Sequence, residues 1–191
     1  FIALAMYRLK THGRAAIIIP DGFLFGNDGA KTALKTRLLT DYNLHTIIRL
    51  PKSVFAPYTS ITTNILYFDK PAAGEAPSEQ LWYYRVDTPA DRKAFSKTKP
   101  MQLEHFADCI AWWHNRTEIR DEQEGSYKAR AYHKAELLAG GANLDLCGYP
   151  NEEAEILSPA DTIRDYQQTR DRLNEEDTRL TEEAERSALE L

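Results

Sequence analysis

The chain has 191 residues, enough for one domain of moderate size or a small domain with an appendage. At 42% hydrophobic and 28% charged residues it has the balance of a soluble globular protein, and no apolar run nears the roughly 20 residues of a membrane span. The net charge of −5 divides unevenly: residues 1–70 carry nine basic and four acidic side chains, residues 160–191 five basic and ten acidic.

The elements follow in chain order. Ile2, Ala5, Met6 and Leu9 recur at helical spacing, and Gly13 reads as the C-terminal cap. The run 14-RAAIIIP-20 suits a strand buried on both faces, as in a parallel sheet. A loop, 20-PDGFLFGNDG-29, follows, and Asp28 is placed to cap a helix running to about Asp41, with Leu34, Leu38 and Tyr42 on one side. A second short strand, 46-TIIRLP-51, comes next. Strand, helix, strand predicts a right-handed crossover between parallel strands. A third strand, about Thr62 to Asp69, arrives without a helix and is expected to be antiparallel. The stretch 81-LWYYRVD-87 reads as a strand pairing back. Leu103, Phe106, Ile110 and Trp113 mark one face of a helix over 102–116, and residues 117–131 read as polar loop. Leu144 to Tyr149 reads as a short extended piece, and Ser158-Pro159 opens a long charged helix. The division expected is 1–116, a linker over 117–157, and a helical tail over 158–191.

The two cysteines, Cys109 and Cys147, lie far apart and outside any CxxC setting, which points away from disulfides and zinc and toward a reducing cytoplasm. The five histidines show no ligand spacing, so no metal site is expected. A basic front and an acidic tail fit a polyanionic partner at one end and a protein partner at the other; they equally fit two solvated faces.

Sites in open α/β sheets lie beyond the carboxyl ends of the parallel strands. The loops Pro20–Gly26 and Pro51–Ile61 follow the first two strands, so both are expected on one face. That sets Phe55 and Tyr58 beside Asp21, Phe23 and Phe25. Two aromatic loops there fit a grip on a flat ligand, or simply anchors folding back on the core.

At this point the residues resemble a family. The series GRAAIIIPDGFLFG (13–26), LLTDYNLHTIIRLP (38–51) and VFAPYTSITTNILYFDK (54–70) resembles the C-terminal half of the modification (M) subunit of type I restriction-modification systems, with WYYRVDT (82–88) and FADCIAWW (106–113) behind it. The family methylates the N6 amine of adenine in DNA with S-adenosylmethionine. The resemblance implies an α/β fold, the C-terminal part of a Rossmann-like methyltransferase sheet with an antiparallel hairpin strand and a helical tail. It covers residues 1–115 well and the tail more loosely. The family's Asn-Pro-Pro-aromatic motif does not occur in this sequence, and no glycine-rich cofactor turn follows a first strand. With the missing initiator Met, this reads as part of a longer enzyme, inactive alone.

A base is methylated out of the stack and held against aromatic rings. The resemblance gives Phe55 that stacking role, with Pro20, Asp21, Phe23 and Tyr58 as further pocket candidates; loop packing is the competing reading. Lys31, Lys35 and Arg37 are candidates for DNA phosphates, against a solvated helix face. The implied partners are DNA, a specificity subunit that the tail would dock on, and a restriction subunit, with no membrane. A non-catalytic DNA- or subunit-binding module of the same fold is the alternative.

Overall fold

A computed structural model describes residues 1–92, 94–121 and 126–147 of a first unit, residues 1–150, and ten helical, exposed positions between 163 and 181 of a second, residues 151–191. The expected extended piece at 144–149 shows no regular structure over its described part, 144–147, and most of the tail lies outside the described residues.

In the first unit, helix α1 (Ile2–Arg8) precedes strand β1 (Arg14–Pro20), and a 3-10 turn (Asp21–Phe23) leads to helix α2 (Gly29–Thr40). Strands β2 (Asn43–Arg49), β3 (Thr63–Asp69) and β4 (Gln80–Arg85) follow. A second 3-10 turn (Leu103–Phe106) runs into α3 (Ala107–His114), and β5 (Ile119–Arg120), β6 (Tyr127–His133) and α4 (Lys134–Ala139) complete the elements.

These strands form one mixed sheet in the order β1-β3-β2-β4-β6-β5. β3 is antiparallel to both β1 and β2, so β1 and β2 run the same way but are not neighbours. The two strands expected to be parallel do share a direction, but α2 carries the chain across a gap one strand wide, and β3 returns into it. With both edges of β3 occupied, β4 cannot pair back on it and instead joins the free edge of β2 in parallel. The segment read as polar loop, 117–131, holds β5 and most of β6, and β6 pairs antiparallel with β4. Its strand pattern was hidden because long polar side chains alternate with Ala129 and Ala131.

β1 is an edge strand, not one buried on both faces. Ile19 is buried while Ile18 is 54% exposed. On one face of the sheet Leu44, Leu66, Phe68 and Tyr83 pack with Met6 of α1, Leu38 of α2 and Leu137 of α4. On the other, Ile48, Tyr84 and Val86 pack with Cys109 and Trp112 of α3.

Two helix details differ from expectation. α1 ends at Arg8 with Leu9 extended, and the left-handed position is His12 (φ 59°). Gly13 serves a close approach instead, because an added Cβ would lie 2.7 Å from the Lys10 carbonyl oxygen. Of the expected face over 103–113, Phe106 and Trp113 pack half-buried against the core while Leu103 and Ile110 are exposed, and the fully buried positions are Cys109 and Trp112. The segment starts as a 3-10 turn and becomes α-helical only from Ala107.

Candidate functional site: two loops on a buried polar root

Parallel directions for β1 and β2 do bring their following loops to one edge of the sheet. Pro20 closes β1 opposite Thr63, and the Asp21 N–H donates to the Thr62 carbonyl at 3.0 Å. The first loop then tightens, with the Leu24 N–H donating to the Asp21 carbonyl at 2.7 Å. Leu24 is buried, Phe23 packs half-buried against the core, and Phe25 is exposed.

Lys35 reaches back from α2 into this loop. Its ammonium donates to the carbonyls of Leu24 (2.9 Å) and Gly26 (2.7 Å), and the residue is 1% exposed. Burial lowers its pKa. Lys35 is therefore a loop tie, a correction to its expected place on a DNA-facing surface. Lys31 and Arg37 remain on the outside of α2, paired with Asp28 (2.9 Å) and Asp41 (3.2 Å). Asp28 caps the helix as expected, accepting from the Lys31 N–H at 3.0 Å.

The second loop is compact. The Ala56 N–H donates to Ser53, and the N–H groups of Tyr58 and Thr59 donate to the Phe55 carbonyl at 3.0 and 3.2 Å. Ser53 Oγ accepts from the Phe95 N–H at 2.8 Å, which fixes the loop's base. Val54 packs into the second core. Phe55 is half-buried, and Tyr58 stands 84% exposed beside it in sequence.

Between the roots of the loops lies a polar network. Arg49, last residue of β2, donates through Nε to Asn64 Oδ1 (3.1 Å) and through Nη2 to Asp21 Oδ1 (3.3 Å) and to Asp145. Asn64 Nδ2 donates to Asp21 Oδ1 at 2.5 Å. Arg49 is 5% exposed and Asn64 fully buried. Burial opposes the Arg49 charge, but the hydrogen bond and charge of Asp145, with the charge of Asp21, more than offset it, and the pKa is raised. Asp145 arrives on the segment after α4, where the Leu144 N–H donates to the Leu24 carbonyl at 3.1 Å. Thr62 and Thr63 are buried at the start of β3, and Thr63 Oγ1 has no partner among the described residues.

Asp21 is thus the predicted site residue with the most polar contacts; Pro20, Phe23, Phe55 and Tyr58 share its edge. Arg49, Asn64 and Asp145 were not singled out as a group. The available signal was polarity inside apolar runs: IIRLP, TTNILYF and LDLC. A charged residue so placed is buried with partners.

In the loop between β1 and α2, the Leu24 and Gly26 carbonyls are taken up by the Lys35 ammonium and are not available to hold a cofactor such as S-adenosylmethionine. Elsewhere, an apolar groove of about 470 Å³ runs beside α3, lined by Ile48, Tyr67, Phe106, Cys109, Ile110 and Trp113.

Comparison with known proteins agrees with this architecture. The family model described as N-6 DNA Methylase matches residues 1–155. The chain is 40% identical over 167 residues to the type I restriction enzyme EcoEI methylase subunit of Escherichia coli, covering 87% of this chain and 33% of that one. It is 34% identical over 103 residues to the EcoKI methylase subunit of E. coli K12, covering 51% and 19%. A crystal structure of a type I modification subunit from Vibrio vulnificus YJ016 matches at TM-score 0.61 and 40% identity, over 72% of this chain and 27% of that one. A structure from work on complex assembly and conformational transition of the type I R-M system matches at TM-score 0.64 and 27% identity, over 97% and 39%. The chain spans about a third of the length of the EcoEI relative. Sequence motifs, sheet and family match converge: the chain belongs to the N-6 DNA methylase family and is similar to the methylase subunits of type I restriction enzymes.

Proposed function

We propose that this chain supplies part of the target-base pocket of a type I DNA adenine-N6 methyltransferase. The observation that carries the reading is the shared edge: the Asp21 and Phe55 loops both leave the carboxyl ends of same-direction strands, over one polar root. Phe55 stacks on the flipped adenine. Pro20, Asp21, Phe23 and Tyr58 border it. Stacking of a base on an aromatic ring is worth roughly 1–3 kcal/mol. Lys31 and Arg37, the two solvent-facing cations of α2, meet DNA phosphates.

S-adenosylmethionine is the methyl donor that the family implies, and residues outside this chain hold it within a Rossmann-like sheet. The chain alone therefore transfers no methyl group. DNA, a specificity subunit and a restriction subunit are the partners, with residues 158–191 as the docking tail.

The test is methyl transfer from labelled S-adenosylmethionine to DNA by the full-length protein carrying these residues. Phe55→Ala is expected to lower kcat/KM roughly 5- to 150-fold, while Phe55→Trp retains most activity. Equal activity in Phe55→Ala and wild type contradicts the stacking role, and turnover by the 191-residue chain alone contradicts the division of labour.

A further inference from the structure

The polar root has no assigned role, and its construction argues for one. Arg49, Asn64, Asp21 and Asp145 come from four separate parts of the chain: the end of β2, the start of β3, the turn after β1 and the segment after α4. Asp21 opens the first loop. Arg49 stands two residues before Pro51, where the second loop begins, and Asn64 three residues after Ile61, where it ends. The network thus touches both loops at their roots.

Its donors and acceptors are closely matched. Asn64 uses both ends of its amide, accepting from Arg49 and donating to Asp21. Asp21 Oδ1 accepts from Asn64 and from Arg49. Arg49 Nη2 also meets Asp145, and the neighbouring Leu144 N–H holds the Leu24 carbonyl in the first loop. Such a network is a poor device for stability alone, because apolar side chains of like volume commonly stabilise as well or better. It is a good device for geometry, since a planar guanidinium fork fixes its partners in direction as well as distance.

We propose that Arg49 is a positioning residue. Through Asp21 and Asn64 it sets the spacing of the Asp21 and Phe55 loops, and Asp145 locks its guanidinium in place. The inference rests on those loops framing the target base. Misplacing a gripping group by about 1 Å is enough to lower a rate by roughly a hundredfold.

The experiment uses the full-length protein with its specificity subunit and two DNA duplexes, one with the native target adenine for methylation kinetics and one carrying 2-aminopurine in its place for the emission of the flipped base. Arg49→Lys keeps the charge and loses the fork. Asp145→Asn and Asp21→Asn keep the shape and lose the charge, so a folded variant remains if one substitution prevents folding. The expected result is a fall in kcat of roughly tenfold or more, weaker 2-aminopurine emission on binding, and an unchanged KM for S-adenosylmethionine. Variants that melt earlier but keep wild-type kcat and 2-aminopurine emission overturn the brace and leave the functional reading intact. A wild type that neither methylates nor raises the emission overturns both.

Discussion

Asn64, the second residue of β3, donates from Nδ2 to Oδ1 of Asp21, the first residue beyond β1, over 2.5 Å. The same amide accepts from Arg49 at 3.1 Å. One small side chain therefore stands between a guanidinium and a carboxylate and orients both.

This relationship makes Asn64 intolerant of close mimics. Asn64→Asp keeps the size but replaces a donor facing Asp21 with a second carboxylate. Asn64→Leu removes both bonds and leaves Arg49 and Asp21 short of a partner. Each is expected to lower unfolding free energy by about 2–4 kcal/mol, measured by urea denaturation. A loss below 0.5 kcal/mol, the ordinary range of a surface substitution, contradicts the description of the root as tightly coupled.

The three basic residues of α2 separate by burial. Lys35→Met leaves the Leu24 and Gly26 carbonyls without their donor and is expected to cost about 1–3 kcal/mol of stability. Lys31→Ala is expected to leave stability nearly unchanged and to reduce the salt dependence of DNA binding by roughly one phosphate contact. A salt slope that changes with Lys35→Met but not with Lys31→Ala reverses this assignment.

His45 gives the fold an acid limit. It sits half-buried on β2 with Nε2 3.4 Å from Asp69 and its ring edge-on to Trp113. Burial pulls its pKa down to about 4; Asp69 opposes that, and Arg116 and Lys134 add to it. The folded state therefore resists protonation where an unfolded histidine, near 6.5, accepts it. Stability falls as pH drops from about 6.5 to about 4 and is flat in this respect above that window. The loss is up to about 3 kcal/mol. In paired melts at pH 7 and pH 4.5, His45→Gln should lose less than wild type; an equal loss contradicts the assignment.

Both thiols are withdrawn from chemistry. Cys109 and Cys147 are free and buried, and burial pushes them up to about 11 and about 12. Neither should react with a thiol reagent at pH 8 in the native protein, and labelling should track unfolding. Rapid labelling without denaturant contradicts the placement of either residue in a core.

Legibility in the sequence followed periodicity and local chemistry. α2 and its Asp28 cap were readable because a short acceptor precedes an apolar repeat. The shared edge of the two loops was readable from strand direction, even though strand order was not. Order depends on which edges are free when β3 and β4 arrive, a non-local matter that no window of sequence contains. β6 escaped because its one buried position is an alanine, Ala129, between long polar residues. The polar root escaped for a related reason. Arg49 and Asn64 lie 15 residues apart and Asp145 lies 96 beyond Arg49, so only the fold makes them one cluster.

The central claim is that Phe55 lies against the target base. Photocrosslinking tests it most directly, with 5-iodouracil in place of the target adenine, bound to the full-length protein and mapped by peptide sequencing. The account predicts crosslinking at Phe55, with Tyr58 as the neighbouring position, and its loss in Phe55→Ala. An efficient crosslink that maps outside the 51–61 loop, unaffected by Phe55→Ala, would contradict it.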